Sequence, residues 1–163
     1  MNIKITTDST CDLSAEQLKR HNIELFPLCI SMGDKCLRDG LEITPDDIYA
    51  HVDAGGDICT TSALNIADYS DRFSVLSKEY DAVIHLNISA EFSSCYQNAV
   101  LAAQEFDNVY VVDSRNLSTG HGHVVLRAAE LAESGMDAQE IVNTLNVFTG
   151  KVDASFILSR LDY

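Results

Sequence analysis

The residues of this chain with chemistry to offer are mostly hydroxyls. Ser89, Ser93 and Ser94 fall within residues 81–98, DAVIHLNISAEFSSCYQN. Before them runs an apolar stretch, residues 82–88, that reads as a buried strand. After them Tyr96, Ala99, Val100 and Ala103 are spaced for one buried face of a helix. A strand, a hydroxyl-rich turn and a helix start make an anion site. The first-turn N–H groups lack partners, and the helix dipole favours negative charge there. The serines add donors without adding a positive charge, so a carboxylate or phosphate is the expected guest. The plainer alternative is that the serines cap the helix, and this stretch alone favours capping.

Other polar turns repeat the pattern. Thr7-Asp8-Ser9 follows a first strand at residues 2–6. Thr60-Thr61-Ser62 is a second hydroxyl cluster. Asp113-Ser114 ends a strand at residues 108–112, and residues 118–122, with Gly120 and Gly122, lead into a helix. In parallel sheets ligands sit beyond the carboxyl ends of the strands, so these turns are expected to share one rim. A Ser/His/Asp hydrolase would draw on Ser93, on His121 or His123, and on Asp8 or Asp113. No G-x-S-x-G elbow surrounds any serine, however. No P-loop is present, and Gly120-His121-Gly122 is too short for a dinucleotide fingerprint. His85 reads as a core residue. His121 and His123 belong to no metal-ligand set. No metal or cofactor is expected.

The elements that position these groups announce themselves locally. Ser14 and Gln17 form a capping box, with Leu13 and Leu18 placed as its staple. Residues 23–32 read as one apolar strand region, in which Pro27 implies an edge or a bulge. Gly33-Asp34 turns the chain into a hairpin arm at residues 35–37. Thr44-Pro45-Asp46-Asp47 opens a helix running to about Asp53. Asn65 caps another, with Ile66, Tyr69, Phe73, Leu76 and Tyr80 on one face. Gly135 stops a helix, and Asp137 and Glu140 suggest a further capping box. Residues 156–158 read as a last strand. Alternating strands and helices imply an α/β fold with a mainly parallel sheet and helices on both faces.

Composition narrows the function. At 163 residues the chain is one domain, and 46% apolar residues support a full core. No run is long enough to span a bilayer. The first residues read as a strand, not a signal peptide, so the expected address is cytoplasmic. The net charge of -14 argues against nucleic acid and anionic lipid as partners. Five cysteines without a C-x-x-C are expected to be reduced core thiols.

Taken in order, Thr7-Asp8-Ser9-Thr10-x-Asp12-Leu13, Arg38-Asp39-Gly40, Ile43-Thr44-Pro45, Thr61-Ser62, residues 88–99, Asp113-Ser114 and Gly120-x-Gly122 resemble the DegV family of bacterial fatty-acid-binding proteins. The likeness covers essentially the whole chain. It implies a non-enzymatic carrier that buries a long-chain fatty acid and holds its carboxylate by side-chain hydroxyls. A separate fatty-acid kinase would receive that carboxylate. By this resemblance the carboxylate ligands are Thr61 and Ser93. Ser62, Ser94, Ser89, Asp8, Ser9 and Gly120 are further candidates for lining the site. The runner-up is a small serine hydrolase or a phosphate-handling enzyme using the same rim. A third reading is a lone interaction module.

Two departures from the family stand out. The family's glycine and threonine after the anchoring serine are here Ser94 and Cys95. The family's second domain is absent from the chain, so half a site and weak binding by the isolated chain are expected. Self-association is expected as well, most simply as a symmetric homodimer.

Overall fold

The computed structural model describes residues 1–155 and 157. In chain order its strands are β1 (Ile3–Asp8), β2 (Glu24–Phe26), β3 (Cys29–Met32), β4 (Lys35–Arg38), β5 (Thr60–Ser62), β6 (Ala82–Asn87) and β7 (Val109–Asp113). Its helices are α1 (Ala15–Arg20), α2 (Pro45–Asp53), α3 (Ile66–Glu79), α4 (Cys95–Ala103), α5 (Ser118–Glu133) and α6 (Ala138–Phe148). Four strands form a parallel sheet in the order β2-β1-β6-β7. The expected α/β architecture is present.

The central strand β6 is buried at every residue, and its side chains alternate between two cores. Ile84 and Leu86 join Ile5, Val124, Val125, Ile141 and Leu145 beneath α5 and α6. Val83 joins Phe26, Phe73, Leu76, Ala99 and Ala102 beneath α3 and α4. Helices therefore cover both faces of the sheet, as the near-continuous apolar strand requires.

Helix starts follow the local signals. Ser14 and Gln17 close a capping box, and so do Thr44 with Asp47 and Asn65 with Asp68. Each such cap stabilises by about 1 kcal/mol. Asp137 accepts a bond from the Gln139 N–H, but Glu140 does not complete the expected box. Gly135 ends α5 with φ +83°, a left-handed value that an L side chain rarely adopts.

Three sequence expectations need correction. Residues 23–32 are not one strand. Pro27 lacks an N–H and breaks the ladder, so β2 ends the parallel sheet while β3 enters a second sheet. That sheet is antiparallel, in the order β4-β3-β5, beside the mainly parallel body. Thr60, Thr61 and Ser62 form its exposed edge strand rather than a turn. The cysteines are not all reduced. The turn at Gly33-Asp34 folds β4 back on β3, and Cys29 and Cys36, with Cα atoms 5.6 Å apart, form a disulfide. Cys11, Cys59 and Cys95 are free. The strand expected at residues 156–158 lies outside the described residues. Among the described residues no helix is long and apolar enough to cross a membrane.

Candidate functional site

Because β1, β6 and β7 run parallel, the turns that follow them emerge on one rim. Ser9, Ser89, Ser93, Ser94 and Ser114 all lie there. Three of these serines close the same small turn, in which the hydroxyl accepts the N–H two residues on. Ser89 takes the Glu91 N–H at 3.2 Å, Ser93 that of Cys95 at 3.2 Å, and Ser114 that of Asn116 at 3.2 Å. Ser94 stands at the N-cap of α4 yet makes no side-chain cap bond. The next first-turn N–H groups of α4 are thereby left without a side-chain acceptor of their own cap. The capping reading thus holds for Ser93 and not for Ser94, which is exposed.

Two carboxylates hold this rim from below. Asp8 is fully buried. Its Oδ2 accepts the Ile88 N–H at 2.7 Å and the Asn87 amide at 3.4 Å. Its Oδ1 accepts the Thr10 N–H at 3.1 Å and the Thr10 hydroxyl at 2.5 Å. Asp113 Oδ1 accepts the N–H groups of Ala90 at 3.2 Å and Arg115 at 2.9 Å. The loop between β6 and α4 is therefore fastened to the ends of both neighbouring strands. Asp8 acts on the rim through that loop, since its oxygens are occupied by backbone and side-chain donors. Ser9 has a similar part, its hydroxyl accepting the Leu28 N–H at 3.2 Å where the chain leaves β2.

His121, in the first turns of α5, is as buried as Asp8. The Thr10 hydroxyl gives its proton to Asp8, so Thr10 Oγ1 accepts from His121 Nδ1 at 3.1 Å. The other ring nitrogen, Nε2, lies within hydrogen-bond distance of the Thr7 hydroxyl, at 3.0 Å. Burial pushes the His121 pKa down, against the pull of Asp8 3.7 Å away, and the ring is neutral. His85, on β6, lies against Phe26, Tyr69 and Phe73, and its Nδ1 bonds the Thr6 hydroxyl at 2.8 Å. Burial depresses its pKa to about 3. It is the core histidine that its place in a strand implies.

Neither histidine bonds Ser93. The hydroxyl of Ser93 is paired instead with Cys95, through its N–H and its Sγ at 3.1 Å. A serine nucleophile needs a base within hydrogen-bond reach, and none of the described side chains supplies one here. Gly120 and Gly122 are packing positions. A Cβ at Gly120 would strike the Asn116 side chain and Ala154, and one at Gly122 the Cys11 carbonyl. Among the described residues no group of three or more His, Cys, Asp or Glu side chains is placed to hold a metal ion.

Thr61 and Ser62 lie on β5 of the second sheet. Thr61 pairs with Ile30 and is exposed on β5. Just beyond β5 the chain is tied to α4, since Asn98 Nδ2 donates to the Leu64 carbonyl at 2.7 Å. Beside the rim, Phe92, Leu117, Thr119 and Val152 line a cleft of about 330 Å³. Half-buried Thr10 and buried Tyr69, Asn87 and Cys95 are not identified by sequence reading as partners of the rim. Only the Ser-x-Cys spacing of Ser93 and Cys95 hints at a turn.

Hydroxyls and an open helix start thus stand together at the sheet edge of an α/β domain. The chain belongs to the DegV family, whose description is of uncharacterised proteins and which it matches over residues 2–163. A DegV domain-containing protein from Clostridium perfringens is 32% identical over 162 residues, which cover 98% of this chain and 58% of that protein. The structure of a DegV family protein from Thermus thermophilus, described as binding fatty acid, superposes with a TM-score of 0.85 at 36% identity. That match covers 92% of this chain and 54% of the other. DegV from Bacillus subtilis, described as a fatty acid binding protein, gives a TM-score of 0.85 at 29% identity, with the same coverage of both chains. The chain spans a little over half the length of these relatives.

Proposed function

We propose that the chain binds a long-chain fatty acid and holds its carboxylate through the hydroxyls of Thr61 and Ser93. The observation that carries this reading is the pairing of Ser93. Its hydroxyl sits at the open start of α4, held by Cys95 and faced by no base, which suits a hydrogen-bond donor to an anion. Hydroxyls and helix N–H groups hold a carboxylate without a buried cation and leave its oxygen nucleophilic. That suits presentation to a separate fatty-acid kinase better than turnover by this chain. Ser62, Ser94 and Ser89 are further candidates for lining the site, and Phe92, Leu117 and Val152 would give the start of an acyl chain apolar contacts in a cleft that also holds Arg115, Asn116 and Asp153. Burial of the chain supplies most of the affinity, about 0.8 kcal/mol for each CH₂ removed from water. The other half of that enclosure comes from a second domain like those of the longer relatives, and the complex works in the cytoplasm.

Mass spectrometry of organic extracts of the purified protein tests the reading. Fatty acid retained by the chain mixed with a family second half, and reduced in the Thr61→Ala, Ser93→Ala double variant, is the expected result. Extracts free of fatty acid, with no uptake when it is added to the chain and a family second half together, would overturn it.

A further inference from the structure

The thiol of Cys95 is fully buried at the first residue of α4, yet it is the partner of a half-buried rim hydroxyl. The Cys95 N–H fixes the Ser93 oxygen at 3.2 Å, and the Ser93 hydroxyl donates to Cys95 Sγ at 3.1 Å. Cys95 belongs to the same core cluster as Phe26, Leu64, Tyr69 and Ala99. Tyr69 Oη accepts the Asn87 amide at 3.0 Å, and the same amide reaches Asp8 Oδ2. Bonded polar groups thus run from buried Asp8 through Asn87 to Tyr69, which shares a core cluster with Cys95, the partner of Ser93.

A serine hydroxyl has one proton. In the free chain the proton of Ser93 faces inward, onto sulfur, which is a weak acceptor. A carboxylate is a much stronger one. A thiol can also donate weakly, so it can exchange roles with the hydroxyl without leaving either group unpaired.

We propose that Cys95 is a positioning residue for the carboxylate site. Its sulfur holds the Ser93 proton inward while the site is empty. When a carboxylate takes that hydrogen bond, Cys95 turns its own S–H onto Ser93 Oγ. Only hydrogen bonds change; every proton stays on its own heavy atom. The Cys95 N–H keeps the Ser93 oxygen in place throughout. The inference rests on the fatty-acid reading above for its ligand step, and on the hydrogen bonds of the free chain for the rest.

Infrared spectroscopy of the S–H stretch separates the two. In the free 163-residue chain, Cys95→Ala identifies the Cys95 band among those of the free thiols. Ser93→Ala is expected to move that band. Palmitate, added to the chain with a family second half supplied, is expected to lower the wild-type band as the thiol becomes a donor, and to leave it unmoved in Ser93→Ala. In the same mixture Cys95→Ala should weaken palmitate binding roughly two- to tenfold, the value of one neutral hydrogen bond. Cys95→Ser should restore it, and binding of methyl palmitate, which has no carboxylate, should not respond to either change. A purely structural Cys95 would weaken acid and ester alike, which would overturn the proposal. A band indifferent to Ser93→Ala would overturn it too, while leaving the fatty-acid reading standing. A band that responds to Ser93→Ala in a protein that takes up no palmitate would instead overturn the fatty-acid reading, and the ligand step with it.

Discussion

The two hydroxyls assigned to the carboxylate come from unlike parts of the molecule. Ser93 belongs to the parallel sheet, at the end of a strand buried at every residue, on a loop tied down by Asp8 and Asp113. Thr61 belongs to the small antiparallel sheet, on a strand exposed at every residue. One half of the candidate site is set by the core, and the other stands on an excursion from it. Rigidity and exposure are divided between the two ligands. Damage to the first region should therefore appear as lost stability, and damage to the second as lost binding.

The largest effect is expected at Asp8. Removing its carboxylate leaves the N–H groups of Ile88 and Thr10 and the Asn87 amide without their acceptor in a buried place. Asp8→Ala should cost about 3–5 kcal/mol, the scale for breaking a buried charged network. Urea denaturation checks it. A loss below about 1 kcal/mol would mean that the rim is not held from beneath.

Acid comes next, and it too should act on the parallel-sheet body. Both His85 and His121 have pKa values lowered by burial. The unfolded chain takes up protons near the ordinary histidine value of 6.5, whereas folded His85 does so only near 3. Stability is therefore full above about pH 6.5 and falls as the pH drops through that window. The slope should be about 1.4 kcal/mol per pH unit for each histidine involved. Urea midpoints between pH 7 and pH 5 measure it. A flat profile would place both rings in contact with water or with a stronger partner.

The hairpin disulfide should matter mainly within its own sheet. Cys36→Ser frees β4 from β3 while leaving the parallel sheet untouched. Hydrogen exchange should quicken for the β3 and β4 amides and stay unchanged in β1 and β6. Faster exchange in β6 would erase the distinction between the two regions.

The same division explains what could be read from sequence. Helices with local start signals, such as those capped by Ser14, Thr44 and Asn65, were legible because cap and helix lie within a few residues of each other. β6 was legible because burial on both faces makes it apolar throughout. The small sheet was not, because a three-residue strand of Thr60, Thr61 and Ser62 with no buried side chain has the composition of a turn. Pro27 was seen as a disturbance, but nothing local says that it parts two sheets. Pairing of Cys29 with Cys36 needed the hairpin register. In the site, the hydroxyls were legible as residues, while their partners were not. Asp8 meets Ile88 across 80 positions and Thr10 meets His121 across 111, and no spacing rule spans such distances. The resemblance to the DegV family carried the assignment of Thr61 and Ser93 where periodicity could not.

At Thr61 the stability effect should be smallest, within about 0.5 kcal/mol, since the side chain is exposed. Its effect on binding is the direct test of the central claim. Fatty-acid affinity should be measured by titration with a family second half supplied, for wild type, Thr61→Ala and Ser93→Ala. A hydrogen bond to a charged group contributes roughly 1.5–3 kcal/mol, so each variant should lose about tenfold or more in affinity. Unchanged affinity in both variants would contradict the account.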